Sequence, residues 1–355
     1  MHIGIPREIK PLEGRVALNP EACGDLVQAG HNVYIEHNAG ELSGYSDDLY
    51  AATGATITPD AARTYASAQL LVKVKEPIAG DLALLQNNHL LFCFLHLAAN
   101  EDLACSLQKI GLTAVGFETV EEDNSSLPLL APMSDIAGRL ATQIGSNLLH
   151  QPAGGKGLLL GGLPGAERGR VVIIGAGNAG GNAAAMAAAM GADVTVFDLN
   201  RERLLAMRSL GNNVTGLYPY QDAIKRAITG ADLLIGAVLK TGDRSPHVVT
   251  RRMVKTMSAG SVIVDISVDQ GGCIETTHPT TYDNPTYIEE GVLHFAVTNI
   301  PGAVPRSASQ ALSAALLPYV HLMTRLDWKK VPALQRGINV EAGSLIHPML
   351  KESLA

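Results

Sequence analysis

The chain has 355 residues, of which 46% are hydrophobic and 17% charged, with a formal net charge of −7. At ~150 residues per domain this is enough apolar material for two cores, which argues against a disordered chain. The acidic balance, the absence of a basic block and an aromatic content of only 4% argue against a nucleic-acid or anionic-lipid partner.

The segment Met1–Glu8 has no basic stretch leading into an apolar one, so it does not read as a secretion signal. No later apolar run approaches the ~20 residues that span a bilayer, so no membrane association is expected. Short β-branched runs then alternate with Ala- and Leu-rich stretches, the pattern of βαβ units. The first series predicts strands at His2–Pro6, Asn32–His37, Leu70–Lys75, Leu90–His96 and Thr113–Val120. Helices such as Pro20–Ala29 and Asn100–Lys109 fall between them, with Gly30 as a C-cap. Ser134–His150 reads as a long connecting helix with Ser134 as its N-cap, because Ile136, Leu140, Ile144 and Leu148 share one face. Gly154–Gly162 is Gly-rich and hinge-like, and it lacks the residue order of a P-loop.

A second series predicts strands at Val171–Gly175, Asp193–Asp198, Asn213–Tyr218, Leu233–Leu239, Ser261–Ser267 and Val292–Asn299, which suits a six-stranded parallel sheet. Another long helix is predicted over about Ser307–Leu326, bent or interrupted at Pro318. The residues after it are too few for a domain and should return to the first one. The expected division is 1–128 with 306–355 as a discontinuous substrate domain, and 129–305 as an inserted cofactor domain that includes the connecting helix. The four cysteines are scattered and are expected to be reduced thiols in a cytoplasmic protein. The eleven histidines show neither HxxxH nor HExxH, so no metal is expected.

Val171–Ile174 runs into Gly175-Ala176-Gly177-Asn178-Ala179-Gly180, followed at once by an Ala-rich helix. This is the GxGxxG context of a dinucleotide site. Gly175 allows the turn, Gly177 lets a pyrophosphate approach, and Gly180 lets helix and strand pack closely. The helix N-terminus favours the phosphates. Asp198 ends the next predicted strand roughly 20 residues on, where a carboxylate accepts hydrogen bonds from ribose hydroxyls and favours NAD over NADP. Arg201 and Arg203 lie just beyond and soften that preference. Arg203 joins Gly175, Gly177, Asn178, Ala179, Gly180 and Asp198 as a candidate cofactor contact.

Four segments carry a resemblance that extends over the full length: Gly4–Glu8 with Glu13–Ala17, Val72–Pro77, Leu95–Ala98, and Asp265–Cys273 continuing into His278–Thr281. On these the chain resembles the alanine dehydrogenase family, which also contains the NAD(H)-binding subunit of transhydrogenase. The resemblance implies two Rossmann-like, doubly wound α/β parallel-sheet domains joined by long helices, the NAD domain inserted in the substrate domain. It implies a cytoplasmic homohexamer that interconverts L-alanine with pyruvate and ammonium in the interdomain cleft, using NAD.

Arg15 then clamps the substrate carboxylate. Lys75 polarises the carbonyl oxygen, His96 moves protons, and Asp269 assists at the carbinolamine and imine. Without the resemblance, Arg15 reads more readily as half of a surface ion pair and His96 as a core histidine, and Asp269 reads as a turn residue. Lys73 and Lys75 share a strand face, and only the resemblance selects Lys75. Further cofactor contacts implied are Ser134, Val238, Leu239, Ile266, Ser267, Val268, Asp269, Val297, Thr298, Asn299 and Ile300. A serine that often touches the cofactor in the family falls at Pro219 or Tyr220, and an arginine of some members at His278. The alternatives are a transhydrogenase-type subunit, which usually lacks a histidine at position 96, a saccharopine-type dehydrogenase, and a non-catalytic NAD(H) sensor.

Overall fold

The computed structural model describes residues 1–238 and 245–353. They form two compact units, residues 1–133 with 302–355 and residues 134–301. In chain order the first unit contributes β1 (His2–Ile5), β2 (Asn32–Glu36), β3 (Thr56–Thr58), β4 (Leu70–Val72), β5 (Leu90–Cys93) and β6 (Thr113–Gly116). The second contains β7 (Arg170–Ile174), β8 (Asp193–Phe197), β9 (Val214–Leu217), β10 (Leu233–Gly236), β11 (Val262–Asp265), β12 (Thr286–Glu289) and β13 (Val292–Phe295). The chain then returns to the first unit with β14 (Ile338–Glu341) and β15 (Ser344–Leu345).

The first sheet is ordered β15-β14-β6-β5-β4-β1-β2-β3 and the second β12-β13-β11-β10-β7-β8-β9. Parallel ladders join β1 through β6 and also the six strands β7–β11 and β13, the doubly wound arrangement expected of βαβ alternation. Every residue of β5, β10, β11 and β13 is buried, as strands covered on both faces require.

Both sheets keep the expected parallel, doubly wound centre and add antiparallel strands at one edge. β12 pairs antiparallel with β13, and β14 pairs antiparallel with β6 and β15. Two-residue turns make both hairpins. Glu290 and Gly291 have φ of 52° and 75°, and Ala342 and Gly343 have φ of 46° and 80°. Positive φ at both central residues gives the turn twist that matches a right-handed hairpin. The strand β3 also went unpredicted, being three residues long.

The helices differ from expectation at their ends. The connecting helix spans Ala131–Leu148, so Ser134 lies inside it and does not cap it. Asn100 caps Glu101–Ile110 by accepting from Leu103 N, and Gly111 closes it in the left-handed region. Helix Pro305–Met323 runs unbroken through Pro318. Pro318 and Ala314, whose carbonyl loses its partner, both face solvent, so water satisfies the freed oxygen. The Gly-rich stretch is held to its own unit: Lys156 pairs with Asp232, its ammonium bonds Ser261 Oγ at 3.1 Å, and its backbone N–H donates to Gly260 O.

Candidate active site

In the first unit the segment carrying Arg15 is fastened to helix Pro305–Met323. Val16 N–H donates to Ser309 Oγ (2.9 Å) and Asn19 N–H to Ser313 Oγ (3.0 Å), while Ser43 Oγ bonds both Ser309 Oγ (2.9 Å) and Gly14 O (2.7 Å). These serines gave no sequence signal, because they are isolated polar residues on an apolar helix. Arg15 is itself buried. Glu13 accepts from its Nε at 2.6 Å and from its Nη2, and accepts the Arg15 backbone N–H at 3.0 Å. Nη1 lies 3.2 Å from Met133 Sδ. The guanidinium is thus held as a fixed fork, the shape that matches a second carboxylate.

The structure separates the two lysines of β4's extension. Lys73 is buried, with its ammonium 3.0 Å from Asp81 Oδ1 and 3.6 Å from Glu8 Oε2. Tyr65 OH donates to the same Asp81 oxygen at 2.7 Å. Lys75 is half-buried and lies within the field of Arg15. Burial lowers its pKa, and the positive charges of Arg15 and Lys10 add to that effect against Glu76 and Glu13. A lysine of this kind gives up a proton more readily than a surface one.

His96 lies past the end of β5 in the left-handed region, with φ 50° and ψ 35°. Glu118 holds it there by accepting the backbone N–H groups of Leu95 (3.0 Å) and His96 (2.6 Å). The imidazole stacks on Phe94 with ring centroids 5.7 Å apart and planes 3° from parallel. Its charge also acts on Glu76. Arg15, Lys75 and His96 therefore belong to one neighbourhood of the first unit, with Glu13, Glu76 and Glu118 as acidic partners that sequence reasoning missed.

In the second unit the dinucleotide motif has the expected geometry. Gly175 has φ 99°, and a Cβ there would meet Ala237 O at 2.4 Å. Gly177 is the N-cap of helix Asn178–Ala189, and a Cβ on it would find no atom nearer than Arg203 Nη1 at 4.0 Å. That open approach in front of a helix N-terminus fits a pyrophosphate. A Cβ on Gly180 would stand 1.8 Å from Gly175 O. Gly180→Ala is therefore expected to push the helix off the strand and raise the dissociation constant for NADH at least about tenfold, or about 1.4 kcal/mol. A fluorescence titration indistinguishable from that of the unaltered chain would contradict this.

Asp198 Oδ2 accepts Ala176 N–H at 2.7 Å and Oδ1 accepts Asn200 N–H at 2.7 Å, with Arg203 Nη1 3.8 Å from Oδ2. Each oxygen keeps a lone pair, so the carboxylate can still receive ribose hydroxyls.

The remaining cofactor candidates differ in what they present. Asn178 is exposed and Ala179, Ser134 and Val238 are half-buried, whereas Leu239 lies outside the described residues. Ser267 and Val268 are buried and Ile266 half-buried, which leaves Asp269 as the exposed side chain of that loop. Val297 and Ile300 belong to the core, and Thr298 and Asn299 between them are exposed and half-buried. Val268, Val297 and Ile300 can therefore meet a ligand only through backbone. Tyr220 is exposed, and the His278 ring stacks on Tyr287 with centroids 3.7 Å apart. Among the described residues no group of three or more His, Cys, Asp or Glu side chains could hold a metal ion. No described helix is long and apolar enough to cross a membrane.

The loop bearing Asp269 is organised by Asp265, which the sequence reading passed over. This fully buried carboxylate accepts the N–H groups of Ser267 (3.0 Å), Cys273 (3.0 Å) and Ile274 (3.2 Å). Burial pushes its pKa up to about 6 against the lowering effect of those N–H groups. The folded state therefore holds this proton more tightly than the unfolded chain. The resulting stabilisation is complete below the unfolded value of about 3.9 and is lost as pH rises through about 6, on the order of 3 kcal/mol. Asp265→Asn mimics the protonated form. The difference in melting temperature between the unaltered chain and this variant should change across that window and be flat above it; a difference independent of pH would refute the assignment.

One unit shaped for a dinucleotide and another holding a buried Arg beside a half-buried Lys and His define an NAD-linked oxidoreductase. The chain belongs to the alanine dehydrogenase/PNT family: the model of its N-terminal domain matches residues 4–137 and that of its C-terminal domain residues 141–348. It is 44% identical to the alanine dehydrogenase of Geobacillus stearothermophilus over 98% of this chain and 95% of that one. It is 45% identical to the alanine dehydrogenase of Methanococcus maripaludis with the same coverage. Among solved structures, an L-alanine dehydrogenase superposes with a TM-score of 0.96 at 48% identity, covering 99% of each chain. A transhydrogenase from Sinorhizobium meliloti, 24% identical over 98% of this chain and 99% of its own, shares the fold with a TM-score of 0.85.

Proposed function

We infer that the chain catalyses the NAD-dependent oxidative deamination of L-alanine: alanine, NAD⁺ and water give pyruvate, ammonium, NADH and a proton, and the reverse reaction aminates pyruvate. The observation that carries this reading is the 44% identity to a named alanine dehydrogenase along nearly the whole chain. Bound NAD supplies the hydride acceptor; the protein supplies binding, orientation and proton movement.

Arg15, its fork fixed by Glu13, binds the substrate carboxylate. Lys75 donates to the oxygen of the ketone or carbinolamine, and its lowered pKa makes that proton easier to share. His96 accepts a proton from the attacking water and returns it as the amine leaves. Asp269, exposed on the second unit, is assigned to stabilising the cationic imine. The Gly175–Gly180 turn and Asp198 hold the dinucleotide. Ser134, Arg203, Val238, Leu239, Ile266–Val268 and Val297–Ile300 complete its surroundings.

Alanine-dependent reduction of NAD⁺ by the purified chain tests the reading. NADH binding without that turnover would favour a transhydrogenase-type subunit instead. By the family resemblance we also assign a cytoplasmic homo-oligomer, a hexamer, which light scattering checks.

A further inference from the structure

We propose that Glu76 is a positioning residue for His96, holding one ring nitrogen protonated so that the other is presented to the substrate. The proposal rests on the alanine dehydrogenase reading for its activity assay, but not for its structural test. The parallel register of β4 and β5 pairs Val72 with Phe92, and the ladder continues past both strand ends: Lys73 N–H donates to Phe92 O (3.0 Å) and Phe94 N–H to Val74 O (3.1 Å). Glu76 and His96 each follow two residues beyond that last paired step, and the two groups interact electrostatically.

One oxygen of Glu76 is fixed by an ion pair with Lys10, and the other, Oε2, is buried with no hydrogen-bond partner among the described residues. A buried carboxylate oxygen without a donor is costly. The charge nevertheless persists. Burial raises the Glu76 pKa, and the Lys10 hydrogen bond with the charges of His96, Lys75 and Lys10 more than offsets it, so that it lies below the ordinary value. Of the charged neighbours, Lys10 is committed to Oε1. The His96 backbone is pinned by Glu118, which leaves side-chain rotation as the motion by which a ring N–H reaches Oε2. The carboxylate partner of an imidazole sets which nitrogen carries the proton. Glu118 fixes the backbone of this histidine, and Glu76 fixes its ring.

The test uses the full chain. Glu76→Gln keeps the shape and removes the charge. The expected result is a kcat at least about tenfold lower, with KM for pyruvate and Kd for NADH within about twofold of their original values. Glu76→Asp should recover most of the loss. Unchanged kcat in Glu76→Gln, or a parallel loss of kcat and affinity that Asp does not recover, overturns the proposal. The unaltered chain, labelled with ¹⁵N-histidine and read by magic-angle-spinning NMR, decides independently, with His96 assigned by its absence in His96→Gln. At a pH where the imidazole is neutral a single fixed tautomer is expected, and an average of both overturns the proposal even if Glu76→Gln fails to fold. Should the chain show no alanine turnover, the function reading fails while this spectrum still reports on the Glu76–His96 pair.

Discussion

Replacing His96 by alanine is expected to lower turnover with alanine and NAD⁺ by at least about 100-fold, the usual scale for a positioned acid–base group. Three local features make this substitution informative. The residue lies beyond the last hydrogen-bonded residue of β5, so removing its ring deletes no ladder bond. Its backbone is secured by Glu118, an interaction that alanine keeps. The ring is half-buried and stacked on Phe94 alone among the aromatic groups, so the packing loss is small beside a 100-fold rate effect. The one local cost is the left-handed backbone, in which alanine and histidine are both strained. NADH binding, proposed for the second unit, should be retained. Turnover within a few-fold of the original would remove His96 from the chemistry.

The same position shows what the sequence made legible. That residue 96 closes an apolar strand could be read from Leu91–Leu95, because a buried parallel strand is a continuous apolar run. That it is pinned by Glu118 could not, because the carboxylate comes from the next strand's exit and carries no periodic signal. The βαβ framework and the GxGxxG turn were visible because both are local patterns. The edge hairpins at Glu290-Gly291 and Ala342-Gly343 were missed for a different reason. Their strands are two to four residues long, and the turn residues are not the Asn-Gly or Asp-Gly pairs that announce such a turn. An X-Gly pair between two short alternating runs was the available clue. Asp265 and Glu8 were passed over because a buried carboxylate looks like any other acidic residue until its N–H donors are assembled around it from distant parts of the chain.

Lys73 and Lys75 were indistinguishable by periodicity, and the structure turns that ambiguity into opposite expectations for two identical substitutions. Lys73→Met should unfold or severely destabilise the first unit, by about 3–5 kcal/mol, because it strands two buried carboxylates. Glu8 also accepts the backbone N–H of Val74 at 2.7 Å, and Asp81 accepts the Tyr65 O–H and the backbone N–H of Ile78. The uncompensated charges therefore sit on the groups that shape the strand exit. Burial raises the Glu8 pKa, Lys73 opposes that, and the lysine is held charged by its two carboxylates against its own burial. Lys75→Met should do the reverse. Lys75 forms no ion pair with another described residue, and its pKa is lowered by burial and by Arg15, so at neutral pH its charge opposes folding. Losing that charge should leave the denaturation midpoint unchanged or slightly raised while turnover falls at least about 100-fold, because Lys75 is the group proposed to donate to the substrate oxygen. Denaturant melts and steady-state rates on the two purified variants measure both halves. A stable, inactive Lys73→Met beside an active Lys75→Met would exchange the roles of the two lysines.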